Sequence, residues 1–337
     1  MAGYPHMRGN RASEVDPRMA RTPGFFSSSA VLSLPVGSHV RPDQLGGYYI
    51  DFSRKPNAPG WPPDFLGSPE TELHVATAQW ALGCYERYLT GEGDAWLAAA
   101  LAGADHLVRH QVRDGVHEGG WIHHWAMPHT YRLEPPWLSA MAQGEGASLL
   151  LRAHAATGEE RYAEAAMRAL SPLASPVSEG GLRAPLGDGF FLEEYPTEPP
   201  SQVLNGGIFA LWGYFDASVA LADADAHGHF EHGVASLAAN LHRWDTGSWS
   251  LYDLYPHPAP NVASSFYHVL HINQIRAMEL LAPRPEFAQT VRRFETYLES
   301  RRRRIEAFMR KAVFRVRVPR QATLARWLPG GPRRKQA

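Results

Sequence analysis

Along the chain, one pattern of apolar and polar positions recurs four times: an apolar helical stretch, a short polar break, an aromatic residue, then a second Ala- and Leu-rich helical stretch. The aromatics are Trp96, Tyr162, Phe230 and Phe287, at separations of 66, 68 and 57 residues. They stand in LTGEGDAWLAAALAGADHL, ATGEERYAEAAMRALSPL, AHGHFEHGVASLAANL and APRPEFAQTVRRFETYL. Each unit reads as a helical hairpin. One hairpin alone cannot bury its apolar face, whereas four stacked around an axis can, so the pattern predicts a mainly α fold, an incomplete α/α toroid of about four hairpins. An irregular helical bundle is the alternative.

The links between hairpins, residues 111–136, 174–200 and 243–261, are long and rich in Gly, Pro, Trp, His and Tyr. Loops of that length inside a compact domain are usually functional, and a toroid would gather them at one mouth. Upstream, residues 31–68 carry GGYYIDF among many prolines and predict a short β-rich or extended arm. The expected organisation is a disordered N-terminus (1–30), the arm (31–68), the toroid domain (69–300) and a basic C-terminal tail (301–337).

Composition adds three constraints. With 44% hydrophobic residues over 337 positions, the chain can bury one large core. The first two dozen residues mix charges with Gly and Pro and have no apolar h-region, and no apolar run of about 20 residues follows, so a soluble cytoplasmic protein is expected. The single Cys84 lies in an apolar helical stretch and reads as a structural thiol. The net charge of −1 conceals an asymmetry: from Glu299 onward there are 13 Lys and Arg against two acids, leaving 20 bases and 32 acids before it. The acidic body disfavours nucleic acid, and a polyanionic substrate would need a locally basic cleft or help from the tail. The tail interleaves bases with Ile305, Phe308, Met309, Val313, Phe314, Trp327 and Leu328, so it reads as a solvated arm, as a peripheral contact with anionic membrane at its inner face, or as a binding segment for the polyuronate.

Three clusters can carry chemistry. FFLEEYPT (190–197), followed by SQVLNGG, puts Glu193, Glu194 and Tyr195 on a Pro-stiffened loop before a helix containing Asn205. WDTGSWSLYDLY (244–255) is a Gly turn flanked by aromatics, including Trp249, that ends with Tyr252 and Asp253, and His257 follows. NVASSFYHVLHINQ (261–274) begins at Asn261 and puts Tyr267 and His271 on one helical face at i and i+4. Neighbouring Glu193 and Glu194 resemble a glycosidase dyad, but adjacent residues on an extended loop point apart, so one at most should reach a given substrate. His268 with His271, and His123 with His124, are metal ligands only on paper, since no carboxylate or Cys stands beside them at a recurrent ligand spacing. No metal and no cofactor is expected. Taken together, three separated loops each offer a tyrosine beside a polar partner, with tryptophans suited to stacking on sugar rings.

WLSAMAQGEGASLLLRAHAATG (137–158), LEEYPTEPPSQVLNGG (192–207), WDTGSWSLYDL (244–254) and YHVLHINQI (267–275) resemble, in the same order, the C-terminal domain of the D-glucuronyl C5-epimerase family. The resemblance runs from about Gly46 to Ser300. It implies an α/α-barrel domain that inverts C5 of D-glucuronic acid to L-iduronic acid within a polysaccharide such as heparosan. By the same resemblance, Tyr195 matches the tyrosine of the Glu-Glu-Tyr-Pro-Thr motif, Glu194 the acid before it, Tyr252 the tyrosine of Tyr-Asp-Leu, and Tyr267 that of Tyr-His. The animal enzymes carry an Arg directly after Tyr-Asp-Leu, where this chain has Tyr255, and they add a longer β-rich N-terminal region and a membrane anchor.

The chemistry implied is proton removal from a carbon α to a carboxylate, which needs a cation or donor at the carboxylate, a base, and a proton donor on the opposite ring face. Tyr195 and Tyr267 take the two proton-transfer roles, with Glu194 and Tyr252 as relay or positioning groups. His257, His268 and His271 are the candidates for the carboxylate, and Asn205, Trp249 and Asn261 for the sugar. The expected partner is an anionic uronic-acid polysaccharide, and a homodimer is admissible. A polysaccharide lyase that expels O4 from the same carbanion, and a non-catalytic glycan-binding protein, are the competing readings.

Overall fold

The computed structural model describes residues 34–66, 72–126, 130–131 and 133–319. The disorder expected over 1–30, and the tail beyond Pro319, lie outside the described residues. Eight helices form four consecutive hairpins: α1 (His74–Leu89) with α2 (Asp94–His110), α3 (Ala140–Thr157) with α4 (Glu160–Ala174), α5 (Leu204–Ala220) with α6 (Ala224–Asn240), and α7 (Ser265–Leu281) with α8 (Pro285–Glu299). Across hairpins, α1 packs on α3, α3 on α5 and α5 on α7, so the odd helices form an inner layer and the even ones an outer layer. This is the incomplete α/α toroid that the repeat predicts.

Burial explains the two layers. Every residue of α3 from Ala140 to Ala153 and of α5 from Leu204 to Ala217 is buried, as inner helices require. By contrast α4 buries Tyr162, Ala165, Ala166, Ala169, Leu170 and Leu173 at helical spacing and exposes the opposite face. The four repeat aromatics all sit on outer helices and all are buried. Small residues set the spacing of the inner layer: a Cβ on Gly144 would lie 2.5 Å from the Ala210 Cα, so α3 and α5 touch backbone to backbone there. Side chains of Ser139, Asp223 and Ser264 accept backbone N–H groups at the starts of α3, α6 and α7.

The inner helices run parallel. Their N-terminal ends meet the long links, and their C-terminal ends meet the arm. Within the link 174–200, strands β1 (Arg183–Leu186) and β2 (Gly189–Leu192) pair antiparallel, Arg183 opposite Leu192 and Leu186 opposite Gly189. The arm contains an isolated Val36–Ile50 bridge rather than a sheet. Its Tyr48, Tyr49, Ile50 and Phe52 are buried, with rings against Phe209, Trp212 and Phe215 of α5.

The basic tail does not stand apart from the domain at its start. Residues 301–317 form α9 (Arg301–Arg317), capped by Ser300, and its Ala307, Lys311 and Phe314 are buried at i, i+4 and i+7. Arg310 donates to Thr246 and Ser248, and Arg315 to Thr130, so α9 is docked on the link loops. Among the described residues no helix is long and apolar enough to cross a membrane.

Candidate active site

Strand β2 delivers Leu192 to the mouth of the toroid, and the next two carboxylates diverge. Glu193 is fully buried and clamps the following loop, accepting from the Ser201 N–H at 3.0 Å, the Ser201 hydroxyl at 2.5 Å and the Gln202 N–H at 3.0 Å. Gln202 is held in the left-handed region, φ 49°, where a non-glycine residue is strained. It is fixed there by those bonds, by its own amide donating to the Pro185 carbonyl, and by Trp244 donating to its carbonyl. With Glu193 committed to the backbone, Glu194 turns to the opposite side. It faces Asn205 Nδ2 at 3.5 Å, and Gly206 lets α5 approach it, since a Cβ there would lie 2.4 Å from the Glu194 Cβ.

The second segment is threaded between two others by backbone bonds. The Tyr252 N–H donates to the Asn261 carbonyl at 2.7 Å, and the Leu204 N–H donates to the Tyr252 carbonyl at 3.1 Å. Tyr252 is thereby pinned against the start of α5. Its hydroxyl is hydrogen-bonded to that of Tyr195, and the Tyr195 hydroxyl donates to Glu194, forming a chain from Tyr252 through Tyr195 to the carboxylate. Tyr267, in the first turn of α7, presents its ring edge-on to Tyr252, with centroids 4.9 Å apart. Asp253, beside Tyr252, accepts from Tyr131 and from Asn261 Nδ2, and His257 Nε2 lies 3.3 Å away. The Tyr131 ring in turn packs 5.2 Å from that of Tyr195.

Helix α9 completes this cluster. Lys311 Nζ donates to Asn261 Oδ1 at 2.6 Å and lies 5.5 Å from the Tyr252 ring centroid, while Phe314 meets His257 edge-on. An ammonium therefore stands over the Tyr252 ring in a chain whose body is acidic. The N-terminal ends of α3, α5 and α7 point the same way, and their partial positive charge adds to the field at this mouth.

Burial sets the protonation states. It raises Glu194 to about 7, assisted by the Glu193 charge and opposed by the Tyr195 hydrogen bond; Glu193 is likewise raised to about 7 by burial. Burial first, and the neighbouring Glu194 charge second, hold Tyr195 and Tyr252 well above the ordinary phenol value, so both are protonated at neutral pH. Both carboxylates are thus brought near neutrality, and of the two Glu194 is the one hydrogen-bonded to a tyrosine of this cluster.

The structure brings together Tyr195, Tyr252, Tyr267, Glu194, Asn205, Asn261 and His257. It sets three sequence candidates behind them. Trp249 stacks on His268 with centroids 3.8 Å apart and donates to the Ala263 carbonyl. His268 spans Ser250 Oγ and the Phe294 carbonyl, and His271 meets the same Ser250 Oγ at 3.0 Å. All three are buried, and burial depresses both histidines, so they pack the wall behind the tyrosines rather than offering a cation to a sugar acid. Tyr131 and Lys311 join the cluster without having been singled out for it, and Asp253, named in its motif without a role, joins them. Among the described residues no three His, Cys, Asp or Glu side chains group as a metal site would require.

Comparison with known proteins bears on this geometry. A protein described as D-glucuronyl C5-epimerase from Caenorhabditis elegans is 35% identical over 192 residues, 52% of this chain and 30% of that protein. An uncharacterized protein of Methanocaldococcus jannaschii is 33% identical over 141 residues, 41% of this chain and 46% of its own. The chain thus spans less than half the length of either relative. A solved structure of UGL with dGlcA-Glc-Rha-Glc aligns over 67% of this chain and 61% of its own, at TM-score 0.44 and 16% identity, a likeness too loose to bear on the site. The family model for the D-glucuronyl C5-epimerase C-terminus matches residues 114–296, which hold all three tyrosines and Glu194 but not Lys311. That match covers more than half of the 337 residues, and by it the chain belongs to the D-glucuronyl C5-epimerase family, through the C-terminal domain of that family.

Proposed function

We propose that the chain is a cofactor-independent polysaccharide epimerase that inverts C5 of D-glucuronic acid residues to give L-iduronic acid. The observation that carries this reading is the convergence of three separate segments on one place: the relay from Tyr252 through Tyr195 to Glu194, with the Tyr267 ring edge-on to Tyr252 and the Lys311 ammonium over the Tyr252 ring. In this reading the Tyr195 oxygen takes the C5 proton as its own hydroxyl proton moves to Glu194, so no free phenolate has to exist beforehand. The electron pair left at C5 delocalises into the carboxylate. Lys311 neutralises that developing charge in place of the arginine that the sequence lacks after Leu254. Tyr267 then donates its proton to the opposite face of C5. The proton gained by Glu194 then leaves to solvent and the Tyr267 phenolate takes one from solvent, which restores the starting protonation.

A raised phenol pKa favours this relay over a standing tyrosinate, and a carboxylate near 7 is matched to accept a proton at neutral pH. The test is incubation of the protein with glucuronate-containing polymers, following uronic acid composition and chain length together. New iduronate at unchanged chain length is expected. Shortened chains ending in an unsaturated uronate would establish a β-eliminating lyase instead, and no change in either would leave a glycan-binding role.

A further inference from the structure

Helix α9 has two faces, and the site uses one of them. Ala307, Lys311 and Phe314 point inward, and the opposite face carries Ile305, Phe308, Met309, Val313 and Val316, which are between 47% and 82% exposed. These are five of the eight large hydrophobic side chains exposed among the described residues, gathered on one helix of 17 residues. At about 100° per residue they occupy an arc of roughly 140°, with Arg301 and Arg302 at its N-terminal end, Arg304 along one edge and Arg317 along the other. The helix holds eight Arg and Lys against the single acid Glu306, although the chain before Glu299 is acidic.

We propose that this outward face of α9 docks on an anionic lipid surface, lying in the headgroup plane with the apolar arc inserted and the flanking arginines on lipid phosphates. Charge complementarity selects the occupant. A second copy docked through the same face would set two strongly basic helices against each other, and residues 320–337 carry five further bases and no acid to complement the arginines. An anionic polysaccharide would satisfy the arginines but offers nothing to an aliphatic stripe. A surface with anionic headgroups over an apolar interior meets both demands. The inference does not rest on the epimerase reading, since none of these side chains faces the tyrosines.

The test is co-sedimentation of the full chain with phosphatidylcholine vesicles, with and without phosphatidylglycerol, at low and high salt. Binding to the mixed vesicles that weakens with salt is expected. The triple variant Phe308→Ser, Met309→Ser, Val313→Ser should bind at least tenfold more weakly, with the helical circular dichroism signal and melting temperature of the parent. Equal binding by parent and triple variant would overturn the proposal, because the basic residues alone would then suffice. So would binding that does not depend on phosphatidylglycerol, or self-association in solution that the triple variant abolishes.

Discussion

The two ends of the inner helices hold clusters built from the same residue types, and they differ in how completely those residues are satisfied. At the arm end, Tyr49 donates to Asp216, which is paired with Arg152 at 2.7 Å. The Arg152 guanidinium spends its remaining capacity on the carbonyls of Gly46, Gly47 and Ser148. Carboxylate and cation neutralise each other there, all three side chains are buried, and nothing is left to react. Roughly 18 Å along α3, at about 1.5 Å per residue from Arg152 to Ala140, the mouth presents tyrosines, a carboxylate and an ammonium again. Here Glu194 accepts from a hydroxyl and an amide and is displaced to about 7, Lys311 donates to the Asn261 amide oxygen, and the Asn205 side-chain oxygen has no hydrogen-bond partner among the described residues. Pairing charge with charge staples a fold, whereas a buried carboxylate held by neutral donors keeps a proton equilibrium that chemistry can use.

The largest contrast is expected from removing single phenolic oxygens. Tyr195→Phe or Tyr267→Phe should lower turnover by about 10² or more with little change in thermal stability. Tyr49→Phe should do the reverse, costing about 1–3 kcal/mol of stability as Asp216 loses a buried partner, with turnover of the folded fraction unchanged. If Tyr49→Phe slows turnover as much as Tyr195→Phe, the distinction between the two ends fails. Next in size, Lys311→Met should reduce kcat/KM by about 10- to 100-fold, and Lys311→Arg should recover part of it, because a cation rather than that geometry is what the substrate carboxylate needs. An unaffected Lys311→Met enzyme would remove α9 from the site.

A pH profile separates the carboxylates. Turnover should fall as pH drops through about 7, where Glu194 becomes protonated and can no longer accept from Tyr195, and Glu194→Gln, which cannot take that proton at any pH, should lower turnover across the range and leave no inflection near 7 from this group. Stability has the opposite dependence. Glu193 and Glu194 are raised above the ordinary carboxylate value of 4.5, so between there and about 7 the native state holds protons that the unfolded chain has released. Their contribution to stability therefore decreases as pH rises through that window, and Glu194→Gln should flatten the decline. The smallest effect is expected from Gly206→Ala, whose Cβ would crowd Glu194: about 1–3 kcal/mol of stability and a partial loss of rate, with the pH inflection kept.

The hairpins were legible because the fold depends on a repeated apolar spacing with Trp96, Tyr162, Phe230 and Phe287 at equivalent positions. The motif tyrosines were legible through their neighbours in sequence. Lys311 was not: a lone lysine amid seven arginines reads as solvated charge, and only the i, i+4, i+7 series Ala307, Lys311 and Phe314 marks the buried face. Tyr131 and Asp253 meet across 122 residues, a pairing that no local pattern encodes. His268 and His271 misled for a related reason. Helical spacing aligned His271 with Tyr267, but Ser250, held in place by the bridge between Asp245 and Ser250, draws both imidazoles into the wall.

The most direct measurement is C5 deuterium incorporation from deuterated water, resolved by epimer, for the parent and for the Tyr195→Phe and Tyr267→Phe variants. The two-tyrosine mechanism predicts that the parent forms inverted, deuterated product without chain cleavage. Each variant should lose inversion and retain exchange only on the epimer whose C5 hydrogen faces the remaining tyrosine. Continued inversion by either variant would contradict the assignment of Tyr195 and Tyr267 to opposite faces of the sugar.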